Sequence, residues 1–155
     1  LFRSVPDAIL PCYPNTVGSR EFFTPSLLNA LDDPLLSYSL LYQISTAYPP
    51  REPEHNFIGS HNMYMSPGLC APDEALAQFP PTIMMLAGVD PLKDDGIFFL
   101  HRLLQNKVDV HAYEMKLMAH GFLSYYYPLR MVSLPQSRDC VYISVEILKA
   151  MTAGH

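Results

Sequence analysis

The apolar run Thr82-Ile83-Met84-Met85-Leu86-Ala87 has no polar alternation. Such a run predicts a strand over 82–88 that is buried on both faces, as in a parallel sheet. Pro91 cannot continue a ladder, so the strand ends near Asp90. Ile97, Leu100 and Leu104 then repeat at helical spacing, and Asn106 is a C-terminal stop, giving a helix over 97–105 that Asp94 or Asp95 can cap. A second strand follows over 108–115, with Val108, Val110 and Ala112 on one face; 116–119 reads as a loop leading to His120. A third strand is expected over 8–13, weakened by Pro11. Asn15 to Leu31 reads as loop with a helical turn. Asp33-Pro34 marks a helix start, with Leu36, Leu40 and Ile44 on its buried face and Pro49-Pro50 at its end. Segment 51–72 reads as loop, 73–78 as a short helix, and 138–151 as a helix packing through Val141, Val145, Leu148 and Met151. The order strand, helix, strand, helix, strand, helix is α/β, with parallel strands joined by crossovers. Three strands make a small sheet for so much apolar surface, so one flank should take another strand.

Composition narrows the class. The chain has 155 residues, enough for one domain with a core. Charged residues are 16% against 49% hydrophobic, which points to deeply buried elements. A net charge of −5 with no basic cluster argues against nucleic acid. No apolar run reaches the roughly 18 residues of a membrane span. Cys12, Cys70 and Cys140 are odd in number and widely spaced, fitting reduced thiols rather than a disulfide framework or a zinc site. The start Leu1-Phe2-Arg3-Ser4 lacks both a methionine and a signal pattern, and the expectation is a piece of a longer chain.

Asp90 and His120 each stand just past a strand, at the edge where open α/β sheets do chemistry. A carboxylate and a histidine so placed are two members of an acid–base–nucleophile triad. Taken singly, Asp90 also fits a turn acid and His120 a structural histidine. The nucleophile should precede both on a Gly-x-Ser-x-Gly elbow. No pair among the seven glycines brackets a serine in that way. Ser4, Ser19 and Ser66 lie in loops without an elbow, and there is no His-Gly-Gly stretch for an oxyanion hole. His55 and His61 lack a carboxylate at ligand spacing, so no metal is expected. His101 reads as surface and His111 as structural. The Asp94–Asp95 pair reads as capping, and Tyr125-Tyr126-Tyr127 as packing or loop surface. No cofactor is implied.

Several pieces together resemble the carboxyl-terminal half of the hormone-sensitive lipase catalytic domain, in the α/β-hydrolase superfamily. They are Val5-Pro6-Asp7-Ala8-Ile9 with Tyr13-Pro14, Leu31-Asp32-Asp33-Pro34-Leu35-Leu36, Phe79-Pro80-Pro81, Asp90-Pro91-Leu92-Lys93-Asp94-Asp95 and His120-Gly121-Phe122-Leu123-Ser124. The resemblance implies a partial α/β-hydrolase fold made of carboxyl-terminal parallel strands with flanking helices, residues 1–155 forming the half without the nucleophile. It implies Asp90 and His120 as the triad's acid and base, and hydrolysis of acylglycerol, cholesteryl or retinyl esters. It also implies a cytosolic enzyme acting at lipid droplets. The family's Gly-Asp-Ser-Ala-Gly elbow and His-Gly-Gly motif are absent from this sequence.

Two readings follow. In the first, the chain is half of an ester hydrolase, partnered by the missing amino-terminal half or, at its open strand edge, by a second copy. In the second, it is a non-catalytic α/β binding or regulatory module derived from a lipase. A Gly-x-Ser-x-Gly in the coding sequence upstream of Leu1 separates them.

Overall fold

A computed structural model describes residues 6–18, 22–47, 63–125 and 134–153. Ser4, Ser19, His55, His61, Pro49-Pro50 and Tyr126-Tyr127, all singled out above, lie outside the described residues. The centre is a parallel pair of strands, β1 (Thr82–Val89) and β2 (Val110–Ala119). Side chains alternate across β1, as they must in an extended strand. Met84 and Leu86 join a core with Ala71, Leu76, Phe99, Leu103, Val108 and Val110 on one face. Met85 and Ala87 join Met118, Phe122, Cys140 and Ile147 on the other. β1 is therefore buried on both faces, as its unbroken apolar run requires.

Segment 8–13 lies on the other side of β1, also parallel, through the bridges Ile9 to Thr82 and Cys12 to Met85. Ile9 N donates to Pro81 O, Ile83 N to Ile9 O, Met85 N to Pro11 O, and Tyr13 N to Met85 O. The one rung missing from this alternation is the N–H that Pro11 does not have. The expected strand is thus a paired but irregular segment, because proline removes a ladder donor at its centre.

Among the described residues five α-helices precede the last one in chain order, with two strands interleaved: α1 (Pro25–Asn29), α2 (Tyr38–Ala47), α3 (Pro67–Cys70), α4 (Asp73–Leu76) and α5 (Lys93–Gln105), then α6 (Pro135–Thr152). α5 covers the Met84 face of the sheet, and Gly96 lets it approach closely: a Cβ there would sit 2.6 Å from Leu86 Cδ2. Arg102 on α5 ties in the α3–α4 region, donating to Ala71 O at 2.8 Å and pairing with Asp73 at 2.7 Å. α6 covers the Met85 face.

Several expected boundaries and faces shift. α2 begins four residues after Pro34. Asp33 Oδ1 instead accepts from Leu35 N and Leu36 N in a local turn, and Ser37 Oγ accepts from Leu40 N. The buried residue of α2 is Leu41, while Leu40 and Ile44 are exposed. α5 buries Phe99 and Leu103, with Ile97 and Leu100 at the rim and Leu104 outside. Ala112 is exposed, and 116–119 continues β2 rather than forming a loop. α6 buries Ser137, Cys140, Ser144 and Ile147, leaving Val145 and Leu148 exposed. Neither Asp94 nor Asp95 caps α5, whose N-cap position is Leu92.

These faces carry a direct test. Leu103 is fully buried, so Leu103→Ala should cost about 2–5 kcal/mol. Leu104→Ala, on the exposed side of the same turn, should stay within about 0.5 kcal/mol of the parent. Urea denaturation of the two variants checks the pair; equal losses would mean the helix is rotated from the face described.

Candidate active site

Val89 ends β1 and Asp90 follows it; Ala119 ends β2 and His120 follows it. Regular pairing runs from Thr82 with Val110 to Ala87 with Met115. Continued unchanged, it would set Asp90 opposite Met118. An irregularity at Gly88 instead pairs Val89 with Ala119. The extra β2 residues bring His120 into step with Asp90. Irregularities of this kind re-aim side chains beside functional sites.

The two side chains meet. Asp90 is buried, with its side chain only 1% exposed, whereas the His120 side chain is 28% exposed. An ionised carboxylate only accepts, so Nδ1–H of His120 donates to Asp90 Oδ2, at 2.9 Å. The other oxygen, Oδ1, accepts from Leu92 N at 2.8 Å. With Nδ1 protonated, Nε2 of a neutral imidazole carries the lone pair. Among the described residues Nε2 has no hydrogen-bond partner, so it remains available to take a proton.

Both loops are held from outside. Ser26 Oγ on α1 donates to Pro91 O at 2.9 Å and accepts from Asp94 N at 3.1 Å, and Ser26 N donates to Asp94 Oδ2 at 2.8 Å. Leu92 joins Leu27, Leu36 and Leu41 in a third apolar cluster. The His120 turn is formed by Gly121, whose φ of +77° suits glycine. Tyr125 Oη donates to His120 O at 2.7 Å, and Phe122 is fully buried beneath. Tyr13 packs edge-on to the imidazole, with ring centroids 4.9 Å apart. Burial pushes the Tyr13 hydroxyl up, and Cys12 adds to that push while the neighbouring Ser124 opposes it. It is a neutral phenol at neutral pH. Tyr13, Ser26 and Tyr125 were not singled out as site residues from the sequence. Only Thr24-Pro25, an N-cap followed by proline, signals the helix that presents Ser26.

The remaining candidates lie elsewhere or are engaged. Ser66 is fully buried and its Oγ accepts from Gly18 N at 2.9 Å. His101 is exposed, and His111 is exposed beside Asp109, 3.4 Å away. Burial pushes the Cys12 and Cys140 thiols up, Asp139 adding to the latter, which leaves them protonated and poor nucleophiles. The described residues contain no group of three metal-ligating side chains, and no helix among them is long and apolar enough to cross a membrane.

A buried acid and a histidine at the ends of adjacent parallel strands belong to a known architecture. The chain is a member of the alpha/beta hydrolase fold family, whose model matches residues 3–124. Among its relatives is the esterase LipI of Mycobacterium tuberculosis, 30% identical over 115 residues, covering 73% of this chain and 32% of that protein. Mouse (Mus musculus) hormone-sensitive lipase is 38% identical over 63 residues, covering 41% of this chain and 8% of the lipase. An esterase structure from Rhizomucor miehei superposes with a TM-score of 0.79 at 26% identity, covering 96% of this chain and 43% of that one. The chain thus spans about a third of the curated bacterial relative's length, and under half of the fungal structure.

Proposed function

We propose that this chain supplies the acid and base of a Ser-His-Asp carboxylic ester hydrolase of the hormone-sensitive lipase type, and that residues 1–155 are the carboxyl-terminal half of its catalytic domain. The observation that carries the reading is the bond from His120 Nδ1–H to the buried Asp90, which leaves Nε2 unengaged among the described residues. In the reaction Nε2 takes the proton of a serine hydroxyl as the serine attacks the ester carbonyl, then delivers it to the leaving alcohol. Asp90 holds the tautomer and stabilises the imidazolium between those steps. The serine and the oxyanion donors come from the amino-terminal half. Acylglycerol and sterol esters are the proposed substrates, by similarity to the mouse lipase, and the lipid-droplet surface in the cytoplasm is the proposed place of action.

The open side of segment 8–13 supports a partner there. Leu10 N and Cys12 N have no backbone acceptor among the described residues. An edge of unpaired N–H and C=O groups favours pairing with another strand. The relatives' greater length makes the amino-terminal half the occupant we favour over a second copy.

The test is an assay of the 155-residue chain alone on a short p-nitrophenyl ester, then together with the amino-terminal half. The chain alone should match the buffer blank, and adding the half should produce turnover. Hydrolysis by the chain alone that a serine-directed organophosphate abolishes would overturn the division of labour. No turnover from a folded complex of both halves would favour the non-catalytic module.

A further inference from the structure

A single hydrogen bond fixes where Nδ1 sits but not the plane of the ring. The imidazole can still pivot about the Nδ1–Oδ2 line and sweep Nε2 through an arc. A triad needs Nε2 held to within roughly 0.5 Å and 10–20° of its working position. Something besides Asp90 has to stop that pivot.

We infer that Tyr13 is the positioning residue that fixes the ring plane of His120. This inference rests on the Asp90–His120 reading above. Three observations carry it. The Tyr13 ring meets the imidazole edge-on, at 4.9 Å between centroids and 62° between planes. Phe122, fully buried, also packs edge-on against the Tyr13 ring, at 5.1 Å between centroids and 78° between planes. Finally, Tyr13 has φ of +40°, a left-handed conformation costly for a bulky residue. Such a residue persists where its surroundings over-determine it, and outliers of this kind concentrate at functional sites. Here the backbone is pinned by Tyr13 N donating to Met85 O at 2.7 Å. The strained turn aims the ring back across the end of β1 onto the histidine. Segment 8–13 therefore contributes to the site through a side chain, without supplying a triad member.

The experiment is proton NMR of the histidine-labelled 155-residue chain, reading the low-field Nδ1–H resonance of His120. That resonance is visible only while the ring is held against Asp90 and shielded from exchange with water. Asp90→Asn identifies it by abolishing it. Tyr13→Phe keeps the ring contact and should keep the resonance. Tyr13→Leu should lose it while the amide signals of β1 and β2 stay in place. Should Tyr13→Leu fold poorly, Tyr13→Gly removes the ring and relieves the positive φ at once, and the same loss is expected. A sharp resonance in Tyr13→Leu or Tyr13→Gly, or its loss in Tyr13→Phe, would overturn the role of Tyr13 alone. Its absence from the unsubstituted chain at low temperature, where exchange with water is slow, with the β1 and β2 amide signals in place, would sink the Asp90–His120 pairing and the role of Tyr13 with it.

Discussion

Asp90→Asn should slow ester hydrolysis by about 10⁴-fold in the enzyme assembled from both halves. The effect is geometric before it is electrostatic. Asp90 Oδ1 accepts from Leu92 N, so an asparagine here keeps its carbonyl oxygen on that N–H. Its amide nitrogen then faces His120. An N–H₂ group only donates, so Nδ1 must become the acceptor and the proton must move to Nε2. A histidine protonated at Nε2 cannot take the serine's proton. The imidazolium that forms in the transition state also loses its counter-charge. Asp90 touches no substrate in this scheme, so the loss should fall on kcat with KM nearly unchanged. Folding should be little affected, since the Leu92 cap survives. Asp90→Ala removes that cap as well and should add a stability loss of about 1–3 kcal/mol. Steady-state kinetics beside a urea melt separates the two. Activity within tenfold of the parent in Asp90→Asn would remove Asp90 from the triad.

What was legible in the sequence follows from which forces act locally. β1 announced itself because a strand covered on both faces has no room for polar positions, and Asp90 was placed because Pro91 ends the ladder. His120 was placed past a strand by the glycine after it, which marks a tight turn that Gly121 makes. The helix faces were harder. α6 presents Tyr142, Ile143, Val145 and Leu148 to the outside, so its apolar residues fit more than one stripe. The true seam includes two serines. Ser144 is buried because its hydroxyl donates to Cys140 O at 2.8 Å, a bond within the helix that no periodicity reveals. In α2, Asp33-Pro34 looked like a cap because the residue types match, yet the turn that Asp33 closes comes before the helix. Tyr13 and Ser26 act on the site across long sequence separations, and only the folded chain brings them there.

Gly88 carries no chemistry and yet decides whether the site exists. A Cβ built on Gly88 lies 2.6 Å from both the carbonyl carbon and the Cα of Lys116, and closer still to its oxygen. These are backbone atoms of β2, which cannot swing aside as a flexible side-chain tip would. Gly88→Ala must therefore push β2 away at the point where the register changes. The nearest relief is to lose the irregularity and continue the pairing seen from Thr82 to Ala87. That slides the end of β2 by two residues, roughly 6.6 Å at about 3.3 Å per residue. Side chains keep their faces in a two-residue slip, but His120 moves far outside a hydrogen-bond reach of about 3 Å. The substitution should thus cost more than about 4 kcal/mol, the range that marks backbone or core disruption. It should also erase the low-field His120 proton in whatever fraction remains folded. Urea denaturation and NMR of the same sample read both effects. An unchanged midpoint with the resonance intact would mean that β2 yields locally at Lys116, and that the register shift is not what brings the acid and the histidine together.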